Sequence, residues 1–384
     1  MLNFYSEESE ILLNPRMPQE EQNKLNIALQ KIRLSNHIFL ATSGSTATNS
    51  QQIKWVALKK SAFLLSAHQV NSHLNCDSSD VFLNTLPHFH VGGLALFARA
   101  QLCKGKIIDD YALSKKWSAA EFLQKIIENK VTVSSLVPTQ LFDIVSANFK
   151  APSSLKAIVI GGGGLPKRLY EKAQILGWPL LPSYGMTECC SQVATASYGF
   201  SWERELPQLT ILPHVKLSLN SEDRIEVESD CLLSGYLIPN NINNYEWLDP
   251  KVNSKILTND IGKIKENTIV ILGRCDDNIK INGENVSLLR LQNLWDEEKE
   301  HNKFHYDGAI FAKPHSRNGM QIALALEKSS EGQSKLIESM LNNFHNHVFS
   351  FEQIRSLHFC NQIPRTELGK IQRNKITEMI SKLD

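Results

Sequence analysis

Residues 42–46 combine hydroxyl-bearing and glycine residues in a way that suits a phosphate group. This segment, TSGST, follows the apolar run 38–41 and consists of Thr42, Ser43, Gly44, Ser45 and Thr46. Backbone N–H groups and hydroxyls in a tight turn are typical ligands of phosphate oxygens, and Lys54 follows as a cation for terminal phosphates. The GxxxxGK[ST] pattern of the common nucleoside triphosphatases is absent. For this segment alone, a solvated Ser/Thr/Gly turn stays open as the alternative.

A second segment, residues 184–188 with the sequence YGMTE, offers an aromatic face, a hydroxyl and a carboxylate. The Tyr184 ring can stack on a base, the Thr187 hydroxyl can bond to a phosphate, and the Glu188 carboxylate can bind a hard cation such as Mg2+. A run of four glycines, 161–164, ends the preceding predicted strand and allows close approach of a flat ring. A strand end with a polar cap is the alternative.

Three charged residues add weaker signals further along the chain. Asp260 and Arg274 flank a predicted hairpin, where they can grip the two hydroxyls of a ribose. Lys370 follows Gly369 near the chain end, and a lysine on such a turn can be moved into a site as a cation. Each of the three, taken alone, is typical of a surface charge.

The histidine pair His88 and His90 has an i, i+2 spacing that two metal ligands could use. No third His or Cys follows with the spacing of a metal site, so we expect no metal hydrolase here. The GxSxG and CxxC patterns are also absent, which leaves serine-hydrolase and thioredoxin-like chemistry without support.

The scaffold predicted for these segments is a parallel sheet built from βαβ units. Short apolar runs alternate with helix-like stretches in the first half of the chain, and such sheets bind ligands at the carboxyl ends of their strands. The predicted strands include 81–86, 131–137, 155–160 and 179–184. After about residue 220 the pattern becomes richer in short strands, including a hairpin that turns at Glu266 and Asn267.

Composition narrows the class of protein. The 384 residues are 42% hydrophobic and 21% charged, as in a globular chain of about two domains. A net charge of +1 argues against nucleic acid or a membrane surface as partner. No apolar run approaches the ~20 residues of a membrane helix, and the acidic start does not resemble a signal peptide. Seven scattered cysteines without CxxC pairs favour the reducing cytoplasm.

The order of six motifs resembles that of the acyl- and aryl-CoA synthetases, members of the adenylate-forming superfamily. The resemblance covers residues 39 to 375, and within the superfamily it is greatest to the o-succinylbenzoate–CoA ligases of menaquinone biosynthesis, through LPHFHVGGLALFAR and SSLVPTQLFDI. The motifs are TSGST, LPHFH, YGMTE, TND, GRCDDNIKINGENV and PRTELGKIQR. The resemblance implies an acid–CoA ligase that uses ATP, Mg2+ and CoA and acts through an acyl-adenylate.

The resemblance also implies a role for each matching residue at the nucleotide. Residues 42–46 and Lys54 would hold the β- and γ-phosphates, Thr187 the α-phosphate and Glu188 the Mg2+. The adenine and ribose would contact a further set, namely Gly162, Gly163, Tyr184, Gly185, Asp260 and Arg274.

For the acid and the catalytic step, the resemblance implies His90 and Gly163 at the acyl pocket and Arg99 at the substrate's distal carboxylate. Lys370 would bridge the reacting carboxylate and the α-phosphate, with His90 and Thr187 beside it as catalytic groups. A helix arginine that faces solvent or pairs with an Asp is the alternative for Arg99.

The family pattern further predicts a large α/β domain, residues 1–275, and a small mobile α+β domain, residues 276–384, hinged at Asp276. Two features depart from that pattern. Residues 47–53 intervene before Lys54, and only 41 residues precede the TSGST loop, which predicts a trimmed N-terminal subdomain. Two alternative functions therefore stay open: another aryl- or fatty-acyl-CoA synthetase, and a catalytically impaired ATP-binding relative. A homo-oligomeric state also stays open.

Overall fold

The computed structural model describes residues 2–15, 17, 19–32, 34–41, 54–111, 116–203, 206–240, 245–275, 277–281, 284–315, 319–366 and 369–381. The chain divides into two compact units. The first comprises residues 1–258 and 262–272, and the second comprises 259–261 and 273–384. The predicted boundary residue, Asp276, and the TSGST loop with its following insertion lie outside the described residues, so predictions about them stay predictions.

Strands and helices alternate through the first part of the chain. The helices are α1 (Gln19–Ile32), α2 (Lys60–His73), α3 (Val91–Cys103), α4 (Ala119–Asn129), α5 (Pro138–Ser146) and α6 (Lys167–Ile175). The strands are β1 (Glu10–Leu12), β2 (His37–Ala41), β3 (Trp55–Lys59), β4 (Val81–Asn84), β5 (Lys106–Asp109), β6 (Val133–Leu136), β7 (Ala157–Ile160), β8 (Leu180–Met186), β9 (Ser191–Thr195), β10 (Leu209–Ile211), β11 (Lys216–Leu219), β12 (Arg224–Glu228), β13 (Gly235–Pro239), β14 (Tyr245–Leu248), β15 (Lys255–Lys265) and β16 (Thr268–Arg274).

These strands form two sheets, and the larger one contains the predicted parallel core. Its strand order is β11-β12-β15-β16-β10-β9-β8-β7-β6-β4-β5, and the neighbours from β5 to β8 all pair in parallel. Strand β7, with the sequence AIVI, is buried throughout, as expected where helices cover both faces. The second sheet has the order β1-β2-β3-β13-β14. The predicted α/β fold with βαβ units is therefore confirmed.

Local signals explain several element boundaries. Helix α4 begins after Ser118, whose Oγ accepts a hydrogen bond from Glu121 N at 3.3 Å, and it is followed by Lys130 in the left-handed region. Helix α5 begins at Pro138, a residue that fits the first turn because it needs no N–H partner there. The hairpin between β15 and β16 turns at Glu266, which has a φ of 55°, as predicted.

The remaining elements build an α+β unit. The strands are β17 (Asn278–Ile281), β18 (Glu284–Ser287), β19 (Gly308–His315), β20 (Gly319–Glu327) and β21 (Ser356–Cys360), and the helices are α7 (Leu288–His301), α8 (Ser334–Asn346) and α9 (Arg373–Ser381). Strands β19, β20 and β21 form a sheet, and buried Trp295, Leu324 and Phe344 belong to its core. None of the helices in the described ranges has both the length and the apolar run that a membrane crossing needs.

Candidate functional site

The YGMTE segment lies where parallel strand β8 ends and the chain turns back into β9. Residues 187–189 form a single 3-10 turn, and Cys190 (φ 53°) and Ser191 (φ 108°) complete the reversal. The pairing of β8 with β9 shifts register between Tyr184 and Gly185. A Cβ atom on Gly185 would lie 2.0 Å from the Ser191 carbonyl oxygen, so only glycine fits this bulge.

The glycine-rich turn lies at the same edge of the sheet. Strand β7 runs parallel to β8, with Ile160 opposite Pro182, so the two segments that follow these strands are neighbours. Gly162 has a φ of 79°, a left-handed conformation that glycine adopts without strain. The structure thus brings together two of the predicted nucleotide-binding segments, at the carboxyl ends of adjacent parallel strands, where α/β sheets bind ligands.

Glu188 is fixed by a residue that the sequence did not single out. The hydroxyl of Tyr236, on β13, donates a hydrogen bond to Glu188 Oε1 at 2.9 Å. Burial and then the negative charge of Glu188 raise the pKa of Tyr236, so this hydroxyl keeps its proton and stays a donor. Lys54 Nζ lies 5.6 Å from the centroid of the same ring, within cation–π distance. Glu188 and Lys54 therefore both lie beside the side chain of Tyr236.

The two histidines of the LPHFH motif have different surroundings. His88 Nε2 lies 2.8 Å from Asp109 Oδ2. Burial alone would raise the pKa of Asp109, but hydrogen bonds from His88 and Asn84 outweigh it and lower that pKa. His90 precedes the first turn of α3 and packs against Phe89, with ring centroids 4.9 Å apart. Across the ranges given above, no group of three His, Cys, Asp or Glu residues could hold a metal ion.

Arg99 is buried inside the first unit, with only 1% of its surface exposed. Its Nε donates to Asn71 Oδ1 at 3.0 Å, and Asn71 Nδ2 donates back to the Arg99 carbonyl oxygen at 2.9 Å. The guanidinium lies 5.4 Å from the centroid of the Phe82 ring. The alternative of a solvent-facing arginine is therefore wrong. The predicted contact with a substrate carboxylate stays a prediction.

The two residues predicted to hold the ribose, Asp260 on β15 and Arg274 on β16, form an ion pair in the second unit. Arg274 Nη1 lies 3.4 Å from Asp260 Oδ1. The residue after the predicted hinge, Asp277, is anchored within this unit, since its Oδ1 accepts a 2.6 Å bond from Arg373 Nη1.

Lys370 lies on an exposed turn of the second unit. The turn is closed by two hydrogen bonds of 2.8 Å, from Thr366 N to the Lys370 carbonyl oxygen and from Gly369 N to the Thr366 carbonyl oxygen. Gly369 has a φ of 78°. Arg365, which precedes this turn, forms an ion pair with Asp307 that sequence patterns do not predict, because the two residues are 58 positions apart.

Comparisons with known proteins identify a family and several relatives of this chain. The family model described as AMP-binding enzyme matches residues 19–229. The 2-succinylbenzoate–CoA ligase of Staphylococcus epidermidis (strain ATCC 12228) is 26% identical over 343 residues, covering 87% of this chain and 68% of the relative. The indoleacetate–CoA ligase of Aromatoleum aromaticum is 26% identical over 359 residues, covering 89% and 66%.

Solved structures show the same fold. The o-succinylbenzoate CoA synthetase of Bacillus subtilis, in complex with its acyl-adenylate intermediate, has a TM-score of 0.72 at 22% identity, with 88% of this chain and 68% of that chain covered. The same enzyme in complex with ATP and magnesium has a TM-score of 0.69. This chain thus spans about two thirds of the length of these proteins. Because the family model matches more than half of its residues, the chain belongs to the family of AMP-binding enzymes.

Proposed function

We propose that this protein is an ATP-dependent acid–CoA ligase that acts through an acyl-adenylate, with o-succinylbenzoate as its acid. The observation that carries the proposal is the Glu188 carboxylate, held by Tyr236 at the end of β8, beside the glycine-rich turn that follows β7. The names of several relatives support the choice of acid, among them the 2-succinylbenzoate–CoA ligases of Staphylococcus epidermidis and Bacillus licheniformis.

The donor set at Glu188 fits a magnesium ion. Mg2+ is usually bound through one or two carboxylates together with substrate phosphates and waters. Glu188 Oε1 accepts the Tyr236 hydrogen bond, and an ionised carboxylate has further lone pairs with which it would bind a hard cation. When bound, Mg2+ would supply charge neutralisation for the phosphates of ATP.

In the first step, a carboxylate oxygen of the acid attacks the α-phosphorus of ATP and pyrophosphate leaves. Negative charge increases on the phosphate oxygens, and Lys370 would neutralise it at the α-phosphate while Lys54 would do so at the leaving phosphates. The Thr187 hydroxyl would donate a hydrogen bond to an α-phosphate oxygen. Positioning and charge neutralisation account for most of the catalysis in phosphoryl chemistry of this kind.

In the second step, the thiolate of CoA attacks the acyl carbonyl of the adenylate, and AMP leaves with the bonding electrons. Lys370 is not needed for this step. We propose that the domain 276–384 turns about Asp276 between the two steps, withdrawing Lys370 and admitting the thiol.

The test is pyrophosphate release from ATP and Mg2+ with a panel of acids, namely o-succinylbenzoate, benzoate, indoleacetate and a medium-chain fatty acid, with and without CoA. We expect the greatest rate with o-succinylbenzoate and a loss of at least about a hundredfold in Lys370→Ala. Lys335→Ala, on the exposed side of α8, is the control. Turnover only with another acid would replace the substrate, and no release with any acid would contradict the ligase.

A second candidate is a ligase for another aryl acid, favoured by the similarity to the indoleacetate–CoA ligase. A third candidate is an ATP-binding relative with impaired catalysis, which the insertion at 47–53, between the TSGST loop and Lys54, favours. Measured ATP binding without pyrophosphate release would support it.

We also infer a cytoplasmic location, which the free state of the cysteines within the described residues supports.

A further inference from the structure

The turn that carries Lys370 is closed by local hydrogen bonds to one residue, Thr366, including one from Lys370 N to Thr366 Oγ1 at 3.1 Å. Gly369 has no side chain, and its left-handed φ of 78° belongs to the most flexible residue type. Lys370 itself is exposed and has four rotatable side-chain bonds. A catalytic lysine must be held within a fraction of an ångström of its productive position, because small misplacements cost large factors in rate.

Arg365 connects this turn to a residue outside it, Asp307. Its Nη1 donates to the Gly369 carbonyl oxygen at 2.7 Å, directly before Lys370. Its other two nitrogens form a fork with one carboxylate, with Nε 2.7 Å from Asp307 Oδ2 and Nη2 2.8 Å from Asp307 Oδ1. A bidentate fork fixes the plane of the guanidinium, and therefore the direction of the third bond.

Asp307 is in turn fixed to the body of the second unit. Its Oδ1 accepts from Gly308 N at 2.8 Å, at the first residue of β19. Its own N donates to Glu327 Oε2 at 3.2 Å, and Glu327 N donates to its carbonyl oxygen at 3.2 Å. Lys299 Nζ, on α7, lies 3.9 Å from Oδ1. Burial would raise the pKa of Asp307, but the hydrogen bonds and charge of Arg365, together with the Lys299 charge and the Gly308 N–H, outweigh it and lower that pKa, so the carboxylate is ionised.

We propose that Arg365 and Asp307 are positioning residues for Lys370, required for the adenylate-forming step and dispensable for the transfer to CoA. The proposal rests on the proposed function, because only that chemistry assigns Lys370 to the first step alone. A purely structural ion pair would affect both steps equally.

The experiment measures the two half-reactions separately in Arg365→Lys and Asp307→Asn. The first is pyrophosphate exchange with ATP and acid, and the second is a single turnover of synthetic acyl-adenylate with CoA. We expect the first rate to fall about ten- to a hundredfold and the second to stay within about twofold. Arg290→Lys, which alters a different ion pair of this unit, with Glu352, is the control and should affect neither rate.

A double-mutant cycle gives a second criterion. If the two residues act as one anchor, Arg365→Lys should slow the first half-reaction much less in the Asp307→Asn background than in the wild type. Equal losses in both half-reactions, or no loss in the first, would overturn the proposal.

A measurement without turnover separates this inference from the proposed function. Trypsin cleavage after Lys370 reports the order of the turn, and Asp307→Asn keeps every lysine and arginine. We expect cleavage at this bond to be about tenfold faster than in the wild type, with other sites unchanged. Unchanged cleavage would overturn the anchor even if the wild type proved inactive with every acid, whereas that inactivity alone would contradict only the proposed function.

Discussion

The hydroxyl of Tyr236 donates to Glu188 Oε1 at 2.9 Å, although 48 positions separate the two residues in sequence. The bond links strand β13 of the smaller sheet to the turn after β8 of the larger one. The backbone of Glu188 is held as well, because its carbonyl oxygen accepts a hydrogen bond from Leu233 N at 2.8 Å. The segment around residue 235 therefore fixes both the backbone and the side chain of the proposed magnesium ligand.

Removal of the Tyr236 hydroxyl tests this arrangement. In Tyr236→Phe we expect the free Mg2+ concentration for half-maximal pyrophosphate exchange to rise about tenfold, because hydrogen bonds to a ligating carboxylate orient it. Tyr198→Phe is a matched control, since the Tyr198 hydroxyl also makes one bond, to the Leu74 carbonyl oxygen at 2.8 Å. An unchanged Mg2+ midpoint in Tyr236→Phe would show that Glu188 does not depend on this bond.

Arg99 can be tested for a structural and a substrate-binding role at once. Arg99→Leu should lower the free energy of unfolding by about 2–4 kcal/mol, because it leaves the buried Asn71 Oδ1 without its hydrogen-bond donor. Arg99→Lys keeps the charge, and should raise KM for o-succinylbenzoate but not for benzoate if the arginine binds a second carboxylate. Arg168→Lys, at an exposed position of α6, is the control. Equal changes in KM for both acids would leave Arg99 a purely structural role.

The stability of the first unit should depend on His214 at mildly acidic pH. Burial lowers the pKa of His214 from 6.5 to about 4, so below pH 6.5 the unfolded chain binds a proton that the folded chain does not. The free energy of unfolding is therefore unaffected by His214 above about pH 6.5, and it decreases as the pH falls from 6.5 toward 4, by up to about 1.4 kcal/mol per pH unit. Denaturant unfolding of His214→Asn should show a flatter pH dependence, while His301→Asn, at an exposed position, should match the wild type. An unchanged slope in His214→Asn would contradict this assignment.

A buried lysine connects the N-terminal segment to the rest of the first unit. Lys60 is 1% exposed, and its Nζ donates to Glu10 Oε1 at 2.7 Å and to Ser6 Oγ at 2.6 Å. Glu10→Gln should lower the free energy of unfolding by about 1–3 kcal/mol, because it leaves a buried cation without its counter-charge. The exposed Glu8→Gln is the control. Adding Lys60→Met to Glu10→Gln should restore part of the lost free energy of unfolding, because it removes the unpaired buried charge. A further decrease in the double variant would argue against that charge as the cause.

Local patterns in the sequence determined the fold class and the composition of the site. Apolar runs interrupted by glycine and proline predicted strands β4, β6, β7 and β8, because strand and turn preferences act over a few residues. The placement of the glycine run beside YGMTE followed as well, since consecutive parallel strands end at the same edge of a sheet. The pairing of Asp260 with Arg274 was likewise predictable from one hairpin.

Tertiary structure alone decided which distant side chains hold these motifs in place. Tyr236 reaches Glu188 across 48 positions, and Arg365 reaches Asp307 across 58. Arg99 lies on a helix whose pattern gave no sign that its guanidinium would be buried against Asn71 and Phe82. Such contacts depend on strand order, register and the packing of helices on the sheet, which arise from the whole chain. The sequence therefore determined which groups were present for the chemistry, and the packing of remote elements decided how each is oriented.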